Sequence, residues 1–111
     1  MSKVSKMTRE DWLKMGAQSK LVLQILANYE QELYDKLGAN HVTKKVQNAY
    51  KSVDTAKSTL DDMVFDHASK LFDNKEIADV IFGEPLEEQK PYIKELMDKA
   101  AEKLHIEADT D

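Results

Sequence analysis

Between Val42 and Phe72 the chain runs without a single Gly or Pro, and its apolar residues fall on one helical stripe. Val42, Val46, Ala49, Val53, Ala56, Leu60, Met63, His67 and Leu71 are separated by steps of four and three, the spacing of one face of an α-helix. A helix of roughly 30 residues is about 45 Å long at 1.5 Å per residue. No small domain can hide a rod of that length, so the rest of the chain must lie along it.

The preceding segment predicts a matching helix. Thr8 is placed to cap it, with Glu10 and Asp11 in the first turn, and Met7 and Trp12 have the spacing of a hydrophobic staple. Its stripe reads Trp12, Met15, Ser19, Val22, Leu26, Tyr29, Leu33 and Leu37. Gly16 sits beside that stripe and costs up to about 1 kcal/mol relative to Ala, which a close helix approach would offset. Gly38 supplies the left-handed residue that ends helices and Asn40 can cap the next, so Gly38-Ala39-Asn40 predicts an αα-hairpin. Laid antiparallel, the stripes pair Leu33 with Val46, Tyr29 with Ala49, Leu26 with Val53, Val22 with Ala56, Ser19 with Leu60, Met15 with Met63 and Trp12 with His67. Large residues then face small ones, as an interdigitated core requires.

Helix 2 is expected to end at Phe72. Asp73 and Glu76 have capping-box spacing for a short third helix over residues 74–82, built on Ile77, Val80 and Ile81 and stopped by Gly83 and Pro85. A fourth helix is expected from Pro91, with Tyr92, Ile93, Leu96, Met97, Ala100, Ala101 and Leu104 on its apolar face. The expectation is an all-α fold: a long antiparallel helical hairpin followed by two shorter helices, in one domain over residues 1–111 with flexible ends at 1–7 and 106–111.

Composition narrows the function classes. The chain has no Cys, which removes disulfides, thiolate catalysis and Cys-based zinc sites. No apolar run reaches the roughly 18 residues of a membrane span. The basic start, Met1 to Lys6, lacks the apolar stretch of a secretory signal, so a cytoplasmic location is expected. Arg9 is the single arginine, and a nucleic-acid reader normally carries several for bidentate contacts. Direct nucleic-acid binding is therefore not expected. The three histidines, His41, His67 and His105, share no i, i+3 or i, i+4 spacing, and no metal-binding or phosphate-cradling motif is present. No catalytic residue, metal or cofactor is expected. His67 is expected to pack beside Trp12, and Asp61, Asp62 and Asp66 to form a solvated face.

Two features point to a partner. Leu21-Val22-Leu23-Gln24-Ile25-Leu26 is apolar nearly all round the helix, so Leu21, Leu23 and Ile25 need a cover besides helix 2. The C-terminal helices or a second copy of the chain could supply it. Tyr50, Val64, Phe65, Ala68 and Phe72 widen the apolar face of helix 2 in the same way. The charge is also split: through Lys57 there are ten basic residues against six acidic, and from Ser58 six against fifteen. Glu95, Asp98 and Glu102 repeat at helical spacing on one solvent face. The expectation is a cytoplasmic protein-protein interaction or assembly module without catalytic activity, able to form a homodimer. Its partner-binding residues are Leu21, Leu23, Ile25, Glu95, Asp98 and Glu102. The alternative is an acidic inhibitor or immunity-type protein that blocks a basic surface.

Overall fold

The computed structural model describes residues 3–106 and is all-α. Three α-helices, α1 (Arg9–Leu37), α2 (His41–His67) and α3 (Lys90–Lys103), make up the fold; a three-residue turn joins α1 to α2, 3-10 turns lie before α1 and between α2 and α3, and the described residues contain no strand. The molecule measures 46 × 34 × 29 Å, its long dimension close to the roughly 44 Å of a 29-residue helix.

The start of α1 is a capping box. Thr8 Oγ1 accepts from the Asp11 N–H at 3.1 Å, and Asp11 Oδ2 accepts from the Thr8 N–H at 2.9 Å. Met7 packs against the core that holds Trp12. At the other end Gly38 takes φ +65° and donates its N–H to the Tyr34 carbonyl. Asn40 caps α2 through the Val42 N–H at 2.9 Å. Trp12 and Leu13, early in α1, share a buried cluster with Val64 late in α2, as an antiparallel hairpin requires. Val46, Val53 and Leu60 of the expected stripe face inward.

The phase of the seam differs from the expected one. On α2 the most deeply buried residues are Thr43, Lys57 and Val64, with Tyr50 half-buried between them, while Val42, Ala49, Ala56 and His67 are exposed. On α1, Gly16, Ala17, Lys20 and Leu23 are buried and Val22 and Tyr29 are exposed. Both helices are turned by about one residue. The expected layers Tyr29–Ala49 and Val22–Ala56 are therefore not buried, and His67 does not pack under Trp12. The third element causes the rotation. Residues 72–103 lie over one side of the hairpin and draw its apolar contacts to that side.

The core sits at the end of the hairpin away from the Gly38 turn. Trp12, Leu13, Val64, Ala68, Phe72, Ile77, Val80 and Ile81 are buried there. The helix expected over residues 74–82 is replaced by turns around a 3-10 turn at Ile77–Asp79. Its capping box forms nonetheless: Asp73 Oδ1 accepts from Glu76 N–H at 2.8 Å and Glu76 Oε1 accepts from Asp73 N–H at 3.0 Å. Nine residues are too few to hold a helix by propensity, and the β-branched Ile77, Val80 and Ile81, all buried, lower that propensity further. α2 stops at His67, short of the expected Phe72, and a 3-10 turn at Ser69–Leu71 brings Phe72 back into the core. The fourth predicted helix is α3. The flexible ends expected at 1–7 and 106–111 lie, for residues 1–2 and 107–111, outside the described residues. Residues 3–6 form a 3-10 turn, and Val4 and Met7 rest on the core.

Arg9, the single arginine, clamps this arrangement. Its guanidinium donates to the Leu71 carbonyl at 2.9 Å, to Glu76 at 2.6 and 3.2 Å and to Glu88 at 2.6 Å, and it lies 4.8 Å from the Phe72 ring centroid. Such charge-assisted, bidentate contacts are the strong kind. The Arg9 guanidinium, with the Asp73 N–H, holds the Glu76 carboxyl below the usual carboxylate range.

Candidate functional site

Two surfaces of the hairpin stand out, and they lie on opposite sides. The first is apolar and uncovered. Val22, Ile25 and Tyr29 of α1 are 40, 55 and 51% exposed, and Leu37, Val42, Ala49 and Ala56 are exposed as well. The exposed apolar positions on α1 and α2 each precede the buried ones by about one residue. In two antiparallel right-handed helices, equal offsets in chain direction fall on the same side of the pair. The surplus apolar residues of α1 and α2 therefore merge into one face, away from residues 72–103. Monomers rarely leave such a contiguous face uncovered.

The second surface is a groove of about 450 Å³ between α1, α2, the Gly83–Pro85 segment and Ile93 of α3. It holds two lysines. Lys20 Nζ donates to the carbonyls of Asp79 and Glu84, the latter at 3.2 Å, and to Gln89 Oε1 at 2.7 Å. All three ammonium protons are thus used, and Lys20 is a strut between α1 and residues 79–89. Burial pushes it down to about 8, against the pull of Asp79. Gln89 completes the joint. Its Nε2 donates to the Leu13 and Val80 carbonyls at 3.0 and 2.8 Å, and its Oε1 also accepts from the Leu86 N–H at 3.0 Å. Gly16 makes room for this joint, because a Cβ there would collide with the Val80 carbonyl oxygen.

Lys57 is different. It is only 7% exposed, and its ammonium lies 4.5 Å from the centroid of the Phe82 ring. Among the described residues it has no hydrogen-bond acceptor and no ion pair. Burial lowers its pKa, opposed by the charges of Asp54 and Asp61. Asp61 itself keeps a buried Oδ1 without a partner, and burial raises its carboxyl, helped by Asp62.

The structure separates the partner-binding residues expected from sequence. Leu23 is buried, Leu21 is half-buried, and both line the groove opposite Pro85 and Ile93. The C-terminal segment thus supplies part of the cover these two required. Ile25 remains exposed, as part of the free hairpin face. Glu95, Asp98 and Glu102 are exposed on α3, and Glu95 pairs with Lys99 at 3.2 Å. Lys94, Lys99 and Lys103 alternate with these acids, so the α3 surface is mixed in charge. Among the described residues no group of three His, Asp or Glu side chains converges as a metal site, and no helix is long and apolar enough to cross a membrane. Lys20, Lys57 and Gln89 escaped the sequence pattern because a polar letter interrupts an apolar stripe. The recoverable signal is the seven-residue row Thr43, Tyr50, Lys57 and Val64, in which a lysine holds a core position.

No protein-family model, curated protein or solved structure matches this chain. What defines it is the all-α hairpin with one side covered by its own C-terminal segment and the other bare.

Proposed function

We propose that the protein is a non-catalytic, cytoplasmic interaction and assembly module, and that its first partner is a second copy of itself docked through the bare hairpin face. The observation that carries this is the merged apolar face of Val22, Ile25, Tyr29, Leu37 and Val42. Charge supports a second copy as the occupant. The far half of α1 carries Glu30, Glu32 and Asp35, and the start of α2 carries Lys44, Lys45 and Lys51. Among the described residues none of these six forms an ion pair. A two-fold axis along the hairpin lays α1 of one copy on α2 of the other, which sets Glu32, one turn after Tyr29, against Lys45, one turn after Val42, beside an apolar centre. Such isologous pairing is the commonest oligomer symmetry, and Tyr29 is the residue type that anchors interfaces.

Light scattering over a concentration series tests the proposal. A dimer is expected at high micromolar protein, and Tyr29→Glu should return it to monomer with its helicity intact, because a buried unpaired charge is costly. A wild-type chain that stays monomeric throughout that range, or a Tyr29→Glu dimer, overturns the reading.

A further inference from the structure

Lys57 is only 7% exposed and its ammonium has no acceptor among the described residues, in a groove whose other walls are mostly apolar. We infer that this groove binds a small amphiphilic carboxylate, with its apolar chain on Leu21, Leu23, Ala27, Pro85 and Ile93 and its headgroup on the Lys57 ammonium.

The volume fits. About 450 Å³ lies inside the range of small-molecule sites, roughly 300–1,000 Å³, which are typically apolar with a few placed polar groups. The polar residues lining it are Lys20, Gln24, Tyr50, Lys57 and Glu84, so two lysines stand against one carboxylate and the groove keeps a positive balance. Lys20 contributes positive potential but no free proton, since its three donors are held by Asp79, Glu84 and Gln89. The headgroup is singly charged on this argument. A phosphate calls for several donors, typically a guanidinium fork, and the one arginine is committed to Leu71, Glu76 and Glu88. Asp54 and Asp61 flank Lys57 on α2 and pull on its charge, yet neither pairs with it. The ammonium rests on the Phe82 ring instead, a contact that leaves its protons free for an anion.

The site lies on the side of the hairpin away from the proposed dimer face, so the two readings are tested independently. Calorimetric titration of the intact chain with decanoate, below its micelle-forming concentration, is compared with decanol. Decanoate should bind about tenfold or more tightly than decanol. Lys57→Met should erase that preference while leaving decanol affinity, the helical circular dichroism and the melting temperature unchanged or improved. Leu21→Gln, on the half-exposed wall, should weaken both ligands. Equal affinity of the wild-type chain for decanoate and decanol overturns the inference without any variant, and so does a Lys57→Met chain that still prefers decanoate.

Discussion

Lys20 Nζ lies 2.7 Å from Gln89 Oε1 in the buried joint that fastens residues 79–89 to α1. Gln89 uses both of its amide protons and bonds twice through its oxygen, so one side chain satisfies an ammonium, a backbone N–H and two carbonyls at the centre of the fold. Replacing it with Leu fills the volume and strands those groups. A loss of about 2–4 kcal/mol is expected from urea unfolding, since each stranded buried polar group costs about 1–3 kcal/mol. In a double-mutant cycle with Lys20→Met, the pair should couple by about 1 kcal/mol or more, because the two side chains belong to one network.

Gly16 and Gly38 make a matched pair of tests. Ala favours a helix interior by up to about 1 kcal/mol over Gly, which alone predicts that Gly16→Ala stabilises. The new Cβ, however, would meet the Val80 carbonyl oxygen and sit 2.7 Å from Gln89 Nε2, and backbone cannot yield cheaply. Gly16→Ala is expected to cost about 1–3 kcal/mol, the range for overpacking. Gly38 has open space around it, but φ +65° with ψ −154° is a region essentially confined to glycine, so Gly38→Ala should cost about 1–3 kcal/mol from backbone strain alone. Thermal melts check both: each variant is expected to melt below the wild-type chain, Gly16→Ala through collision and Gly38→Ala through backbone strain.

The lysine joint gives the protein an alkaline signature. Lys20 titrates near 8 when folded and near 10.5 as an ordinary lysine. Between those values the unfolded chain binds more protons than the folded one, so stability rises with pH across that window. Lys57 is shifted in the same direction by its burial. Urea midpoints should therefore increase from pH 8 towards pH 10, and Lys20→Met should flatten the rise. A midpoint that falls steadily over that range in the wild-type chain would contradict the assigned burial of both lysines.

Local signals in the sequence translate directly into structure. Thr8, Asn40, Gly38 and the Asp73–Glu76 pair all form the caps and turns their chemistry predicts, because each is decided within a few residues. The two long helices follow from periodicity for the same reason. The phase of their seam does not, since it depends on where residues 72–103 come to rest. A stripe read as Val22, Tyr29, Ala49 and Ala56 differs from the buried set by one step. Lys20 and Lys57 conceal that step, because long lysine stems bury like apolar chains while their letters count as polar. The expected third helix is absent although its capping box forms, because nine residues carrying the β-branched Ile77, Val80 and Ile81 are too short a segment to hold a helix by propensity.

Glu95, Asp98 and Glu102 provide the last test, because they offer a different docking surface from the bare hairpin face. An interface built on that acid face would weaken steeply with salt, as the screening length falls to about 3 Å at 1 M. Glu95 already pairs with Lys99 at 3.2 Å, and three lysines alternate with the acids along α3, so little net field is left to steer a partner. The proposed self-association through Val22, Ile25 and Tyr29 would instead be apolar at its centre, with charges only at its rim, where pairs contribute little. Reversal of all three acids to Lys is expected to leave the dimer constant within a few-fold. Raising salt to 1 M should weaken it only modestly, and Ile25→Glu should dissociate it. A triple reversal that dissolves the dimer while Ile25→Glu preserves it would move the interface to α3 and its acids.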